Sequence, residues 1–110
     1  MSPDDAIRIR HMLEAIDLVD GFVRDRIAED LKSDAMLRLA LTRAIEIVGE
    51  AAARVTPDGR ALAPTVPWQA MVGMRNRLVH AYFDVDCNIL WTTATDSLPR
   101  LAPSLRNLLT

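Results

Sequence analysis

The chain has 110 residues, of which half are apolar and a quarter are charged, and its formal net charge is −2. This composition predicts one ordinary globular domain over residues 1–110 with a single core. No apolar run approaches the roughly 20 residues of a membrane span. The acidic N-terminus is not followed by the apolar stretch of a signal peptide, so we expect a cytoplasmic protein without membrane contact. Because Cys87 is the only cysteine, an intramolecular disulfide and a cysteine-based zinc site are excluded.

The charge balance also limits how the chain could bind nucleic acid. A protein that holds nucleic acid over a broad face usually has a basic surface, and this one does not. Twelve of its 13 basic residues are arginine, which is the better ligand for a phosphate. Any RNA contact should therefore be local, made by a few arginines in a cleft.

The first predicted helix begins at Ser2-Pro3-Asp4-Asp5, which combines a capping serine, an early proline and two acids. Apolar residues then recur every three or four positions, which predicts a helix from about Pro3 to the mid-twenties. These residues are Ile9, Met12, Leu13, Ile16, Val19 and Val23. His11 falls on the polar side of this helix beside Arg8 and Arg10, and we interpret it as an ordinary surface residue.

A second long helix is predicted after the polar stretch 29–34. Its apolar face comprises Leu37, Leu41, Ile45, Val48, Ala52 and Val55. The sequence Thr56-Pro57-Asp58-Gly59 is typical of a turn, so we expect the helix to end there. The proline-containing stretch from 57 to 67 is predicted to be an irregular loop.

The remaining chain is also predicted to be helical. A third helix opens at Pro67-Trp68 and carries Met71, Met74, Leu78 and Ala81 on its apolar side. Asp86 is the expected cap of a fourth helix, which should bury Ile89, Leu90, Ala94 and Leu98. Pro99 is expected to start a short final helix. Together these elements predict an all-α, up-and-down bundle of four to five helices.

A second stripe on the long middle helix places charge on a face that otherwise resembles a buried one. It comprises Met36, Ala40, Arg43, Ile47, Glu50 and Arg54. Glu50 and Arg54 stand in the favourable i, i+4 orientation. Two interpretations stay open: a solvated rim, or a polar lining beside a cleft or a subunit contact.

The segment from Gly73 to Asp86 carries the polar residues that could perform chemistry. Placed on a helix, Arg75 and Tyr82 lie only about 20° apart, and Asn76 and His80 form an i, i+4 pair. The same placement separates Arg75 and His80 by about 140°, so one helix cannot bring both to one phosphate. Two helices facing each other across a dimer axis could.

This grouping suits the cleavage of RNA. A neutral imidazole at His80 can take a proton from a ribose 2′-OH, and as imidazolium it can protonate a leaving 5′-oxygen. The Arg75 guanidinium can stabilise the charge that develops on the phosphate. Asn76 can orient the ring or the phosphate. No metal or other cofactor is required. The structural alternative is that this histidine only caps a helix end.

The longer string from Trp68 to Asp86 resembles the signature of the HepT-like branch of the HEPN superfamily. It shows a Pro-Trp pair, a glycine two residues before Arg-Asn, the pattern Arg-x4-His-x-Tyr and a Val-Asp pair. Ile47–Ala52 resembles the second-helix segment of that family, and Leu98-Pro99 resembles its last junction. The resemblance therefore extends over nearly the whole chain.

This resemblance implies a HEPN-like helical bundle that forms homodimers, with the two motifs meeting in a cleft at the interface. It implies the toxin of a toxin–antitoxin pair, acting as a metal-independent endoribonuclease in which Arg75 and His80 are catalytic and Asn76 supports them. The partner implied is a nucleotidyltransferase antitoxin, which can transfer AMP from ATP to Tyr82. The alternative is a non-catalytic module that binds a nucleotide or serves as a scaffold for that partner.

Overall fold

Helices make up most of the computed structural model, which describes the backbone of residues 1–81 and 84–110 and the side chains of all of these except 80 and 81. The helices are α1 (Pro3–Val23), α2 (Asp30–Ser33), α3 (Ala35–Arg54), α4 (Pro57–Ala61), α5 (Trp68–Val72), α6 (Met74–Leu78), α7 (Cys87–Thr92), a π-helical turn (Thr93–Ser97) and α8 (Leu98–Asn107). Between α6 and α7, strands β1 (Val79–Ala81) and β2 (Asp84–Val85) form a small antiparallel pair. The predicted all-α bundle is confirmed. In the described part of the chain, no helix is both long and apolar enough to cross a bilayer.

The two long helices, α1 and α3, run antiparallel because the chain turns back between them. Arg26 organises this turn by donating hydrogen bonds to Asp30 at 3.0 Å and to Asp34 at 2.8 Å. Asp34 also caps α3, accepting a hydrogen bond from the Leu37 amide at 3.0 Å. The Arg26 guanidinium and this amide lower the pKa of Asp34, and the Ile27 amide and Arg26 lower that of Asp30.

The other ends of α1 and α3 are joined by a buried carboxylate. Asp5, in the first turn of α1, is only 2% exposed. Its carboxylate accepts hydrogen bonds from the Thr56 amide at 3.0 Å and the Thr56 hydroxyl at 2.6 Å. These bonds, chiefly that of the hydroxyl, lower the pKa of Asp5 from its usual value of 3.8.

The expectation of a turn at Thr56–Gly59 and an irregular loop to 67 was wrong in its first half. Thr56 caps the short helix α4 through its side-chain oxygen, which accepts a hydrogen bond from the Gly59 amide at 3.1 Å. Pro57 stands in the first turn, where a missing amide hydrogen has no cost. The capping Thr56 and the following Pro57 therefore start a new short helix here and do not form the expected irregular turn.

The core lies where α1 packs against α3 and against the rod formed by α7, the π turn and α8. The apolar positions predicted for the two long helices are buried, apart from Leu13 and Val23, which are half-buried. On α7 and after it, Leu90, Ala94 and Leu98 are buried as expected, but Ile89 is 38% exposed. Ile89 precedes Leu90 by one residue, which on a helix is a rotation of about 100°, so its side chain points away from the core.

Asp86 caps α7 as predicted, accepting a hydrogen bond from the Ile89 amide at 3.0 Å. The expected break before Pro99 is absent, because the π turn joins α7 directly to α8, which begins at Leu98. Because Pro99 has no amide hydrogen, the regular series of helical hydrogen bonds is interrupted there. The wider π turn lies directly before this interruption.

The predicted third helix is interrupted and ends early, which corrects the helical placement of the polar motif. It stops at Val72, continues after Gly73 as the five-residue α6 and ends at Leu78. Val79 leaves the helical region at φ −107° and ψ 112°, as suits a β-branched residue. The Leu78 carbonyl instead accepts a hydrogen bond from the Asp86 amide at 2.8 Å. His80 therefore lies on a strand, and its angular relation to Arg75 and Asn76 cannot be that of one helix.

Candidate active site

Arg75 is held on α6 by a carboxylate of α3. Its Nε lies 3.5 Å from Oε1 of Glu46. The Arg75 side chain is 51% exposed, and that of Glu46 is 25% exposed. The contact with Glu46 is through Nε, and the two terminal nitrogens of the guanidinium carry further N–H donors. Those two nitrogens form the fork that binds a phosphate in two places at once.

Glu46 is itself held by a second arginine on α3. Nη1 of Arg43 lies 3.4 Å from Oε2 of Glu46 and 3.1 Å from Oε1 of Glu50. Sequence reasoning missed Glu46, although it stands three residues after Arg43 and four before Glu50. Glu50 thus contacts Arg43, and the i, i+4 pairing with Arg54 does not form within 4 Å. Exposed ion pairs of this kind add little stability.

A cavity of about 200 Å³ brings several of the predicted site residues together. It is lined by Glu46, Gly49, Glu50, Ala53, Val72, Arg75 and Asn76. Gly49 allows the close approach of α5, since a Cβ at this position would lie 3.0 Å from the Met71 carbonyl oxygen. This approach carries α6, and with it Arg75 and Asn76, against α3.

Arg54 does not line this cavity. It lines a neighbouring groove of about 240 Å³ between α1 and α3, together with Arg8, His11, Ile47, Glu50 and Ala51. Glu50 lines both the groove and the cavity. That Glu50 and Arg54 line a functional cleft stays a prediction. The groove and the cavity are neighbours across Glu50.

The backbone of His80 is irregular. Val79 of β1 pairs with Val85 of β2, and Ala81 of β1 pairs with Asp84 of β2. Between these two pairs, β1 therefore contains one residue more than β2. His80 is the extra residue of this bulge, and bulges are over-represented next to active sites. The side chain of His80 lies outside the described part of the structure, as does Tyr82. Their distances to Arg75 therefore stay predictions.

Among the described residues, no group of three or more His, Cys, Asp or Glu side chains is arranged to hold a metal ion. The described site contains a guanidinium that can bind phosphate (Arg75), a carboxylate paired with it (Glu46) and the neighbouring Asn76. Such an arrangement can bind and polarise a phosphodiester.

The chain is similar in sequence to several proteins whose names describe them as ribonucleases. The chain matches the family model described as ribonuclease HepT-like over residues 12–108. A protein named "Probable ribonuclease HepT" from Thermococcus cleftensis is 40% identical over 93 residues, covering 84% of each chain. A candidate RNase of Methanocaldococcus jannaschii is 38% identical over 90 residues, covering 82% of this chain and 83% of the relative. A candidate RNase of Caldanaerobacter subterraneus is 32% identical over 101 residues, covering 92% and 90%.

No solved structure matches the chain. The family model covers most of the sequence, including the helices that carry Arg75 and Glu46 and the bulge at His80. The chain therefore belongs to the HepT-like ribonuclease family.

Proposed function

We propose that this chain is a metal-independent endoribonuclease and the toxin of a toxin–antitoxin pair. The single observation that carries the proposal is the placement of Arg75, which pairs with Glu46 and lines a cavity together with Asn76. Membership in a family of ribonucleases gives the substrate class, RNA. The Arg-x4-His-x-Tyr motif supplies the group that moves protons.

The reaction is a transfer within the RNA strand. His80 removes the proton of a ribose 2′-OH, and the 2′-oxygen attacks the adjacent phosphorus. The bond from phosphorus to the 5′-oxygen breaks, and an imidazolium protonates that oxygen as it leaves. The products are a 2′,3′-cyclic phosphate and a 5′-OH. The fork of Arg75 stabilises the charge on the phosphate in between.

In this proposal the chain forms a homodimer whose two motifs face one cleft and together supply the acid and the base of the reaction. Exposed apolar surface at the motif supports this arrangement, since the Val72 side chain lines the Arg75 cavity and is 37% exposed. Burying such surface contributes roughly 25 cal/mol per Å².

A nucleotidyltransferase antitoxin would control the enzyme through Tyr82. The phenolic oxygen attacks the α-phosphate of ATP, the phenolic proton goes to solvent and pyrophosphate leaves, so that one AMP is attached. The sequence places Tyr82 two residues after His80, so the added nucleotide would stand at the motif. Its negative charge and bulk would exclude RNA from the site.

Expression of the chain tests the proposal. Growth arrest and RNA degradation are expected when the chain is expressed alone, and both should disappear on co-expression with its nucleotidyltransferase partner. Arg75→Ala should abolish both effects, whereas Arg77→Ala, a matched change on the same helix, should retain them. Arg77 instead donates a hydrogen bond to the Ala70 carbonyl at 3.1 Å.

Two results would contradict the proposal. One is equal toxicity of the wild type and Arg75→Ala. The other is an intact RNA pool during growth arrest, which would favour the alternative of a non-catalytic nucleotide-binding or scaffold module.

A further inference from the structure

The groove between α1 and α3 gathers basic side chains that the proposed reaction does not use. Arg8 and His11 lie one turn apart on α1, and Arg54 is the last residue of α3. Because the two helices are antiparallel, these three side chains line the same groove of about 240 Å³. Its remaining walls are Ile47, Glu50 and Ala51.

In the part of the chain that the structure describes, the basic side chains of this groove, Arg8, His11 and Arg54, form no ion pair within 4 Å. Of the described residues that line the groove, Glu50 alone is acidic, and its Oε1 already accepts a hydrogen bond from Arg43 at 3.1 Å. In a chain of net charge −2, this leaves a local cationic site that suits an anion.

The groove also adjoins the cavity of Arg75. The two share Glu50, and their other α3 residues alternate along the helix, with Gly49 and Ala53 on one side and Ala51 and Arg54 on the other. A strand of RNA that has one phosphate at Arg75 would therefore meet the groove as it continues across α3. Regularly spaced phosphates are what a single strand presents along such a path.

We propose that Arg8, His11 and Arg54 bind a phosphate of the RNA strand that flanks the scissile one. This proposal rests on the proposed ribonuclease function and extends it by a second subsite. The two guanidinium groups supply charge and hydrogen bonds to the phosphate oxygens, and the imidazole supplies a further donor. The contact holds the strand without reading its sequence.

Binding of a short single-stranded RNA, measured by fluorescence anisotropy with the His80→Ala chain, tests this subsite. Arg8→Ala and Arg54→Ala should each weaken binding about tenfold, as loss of a charge-assisted hydrogen bond does. The slope of log affinity against log salt should fall by about 0.7 for each lost phosphate contact. Arg10→Ala is the matched control, because Arg10 is an exposed arginine on the same helix that does not line the groove.

Equal behaviour of Arg8→Ala, Arg54→Ala and Arg10→Ala would overturn the subsite. So would weaker RNA binding that is accompanied by a change from dimer to monomer in light scattering, since the groove would then be a subunit contact. If the wild type cleaves RNA and depends on Arg75, such results overturn the subsite alone. If the wild type neither binds nor cleaves RNA, the proposed function itself fails.

Discussion

Removing the buried carboxylate of Asp5 should destabilise the fold strongly. Asp5→Ala deletes two hydrogen bonds to a charged group, those from the Thr56 amide and hydroxyl at 3.0 and 2.6 Å. It also leaves the Thr56 amide without its partner. At about 1.5 kcal/mol or more for each bond to a charged group, the free energy of unfolding at pH 7 should fall by about 3 kcal/mol. For a domain of this size, that lowers the melting temperature by about 15 °C.

The pH dependence of this effect has a definite sign. The pKa of Asp5 in the folded chain lies below its usual value of 3.8, so the folded state binds fewer protons than the unfolded state as the carboxyl titrates. The contribution of Asp5 is therefore complete above the unfolded pKa and is lost as the pH falls through the folded pKa. Urea unfolding of wild type and Asp5→Ala at pH 7 and near pH 3 should show the gap narrowing in acid. Asp30 and Asp34 are common to both proteins, so their titration cancels in the difference.

Two glycines provide matched variants for the same experiment. A Cβ on Gly59 would collide with the Asp5 carboxylate, whereas a Cβ on Gly21 would meet nothing within 4 Å. Gly59→Ala should therefore destabilise the chain, and Gly21→Ala should stabilise α1 by up to about 1 kcal/mol. A gap below about 1 kcal/mol for Asp5→Ala at pH 7, the net value of an ordinary hydrogen bond, would refute the argument. So would a gap that does not change with pH.

Three further predictions concern the site. Glu46→Ala should lower kcat about tenfold with little change in KM, because Arg75 loses the carboxylate that orients it. Glu46→Gln keeps the size of the side chain but removes the charge that pairs with Nε of Arg75 at 3.5 Å, so it should recover little of the rate. Equal rates for wild type and Glu46→Ala in single-turnover assays would refute this. Val72→Glu should convert the dimer into monomers, as measured by light scattering. Leu62→Glu is the control and should not, because Leu62 is 58% exposed but lies away from the motif, in a cavity beside Ser2 and Asp5. If Val72→Glu stays dimeric, the motif face is not the interface. Incubation with the nucleotidyltransferase partner and ATP should add the mass of one AMP to the wild type and none to Tyr82→Phe, as measured by intact-mass spectrometry. An equal increase in the mass of Tyr82→Phe would exclude Tyr82 as the modified residue.

The helices that sequence periodicity predicted well are those whose pattern reflects burial. Ile9, Ile16 and Leu41 repeat at helical spacing because one face of each long helix packs on the core, and all three are fully buried. Capping is equally local, which is why Ser2 and Asp86 could be assigned as helix starts.

The end of α6 and the role of Glu46 could not be predicted in this way. The apolar spacing from Met71 to Ala81 fits a continuous helix. In the structure, the Leu78 carbonyl instead accepts a hydrogen bond from the amide of Asp86, eight residues later, and helical spacing does not predict such a contact. The contact of Glu46 with Arg75 spans two separate helices. Sequence spacing could mark the face of α3 on which Glu50 lies, but only the packing of α5 at Gly49 brings Arg75 to it.

The chemistry of the cleaved RNA ends tests the proposed metal-independent mechanism most directly. Purified wild type and His80→Ala are incubated with a defined RNA in the presence of EDTA, and the termini are identified by mass spectrometry. If His80 is the general base, the wild type yields a 2′,3′-cyclic phosphate and a 5′-OH, and His80→Ala is slower by about a hundredfold or more. Cleavage that EDTA abolishes, products with a 3′-OH and a 5′-phosphate, or full activity of His80→Ala would contradict this mechanism.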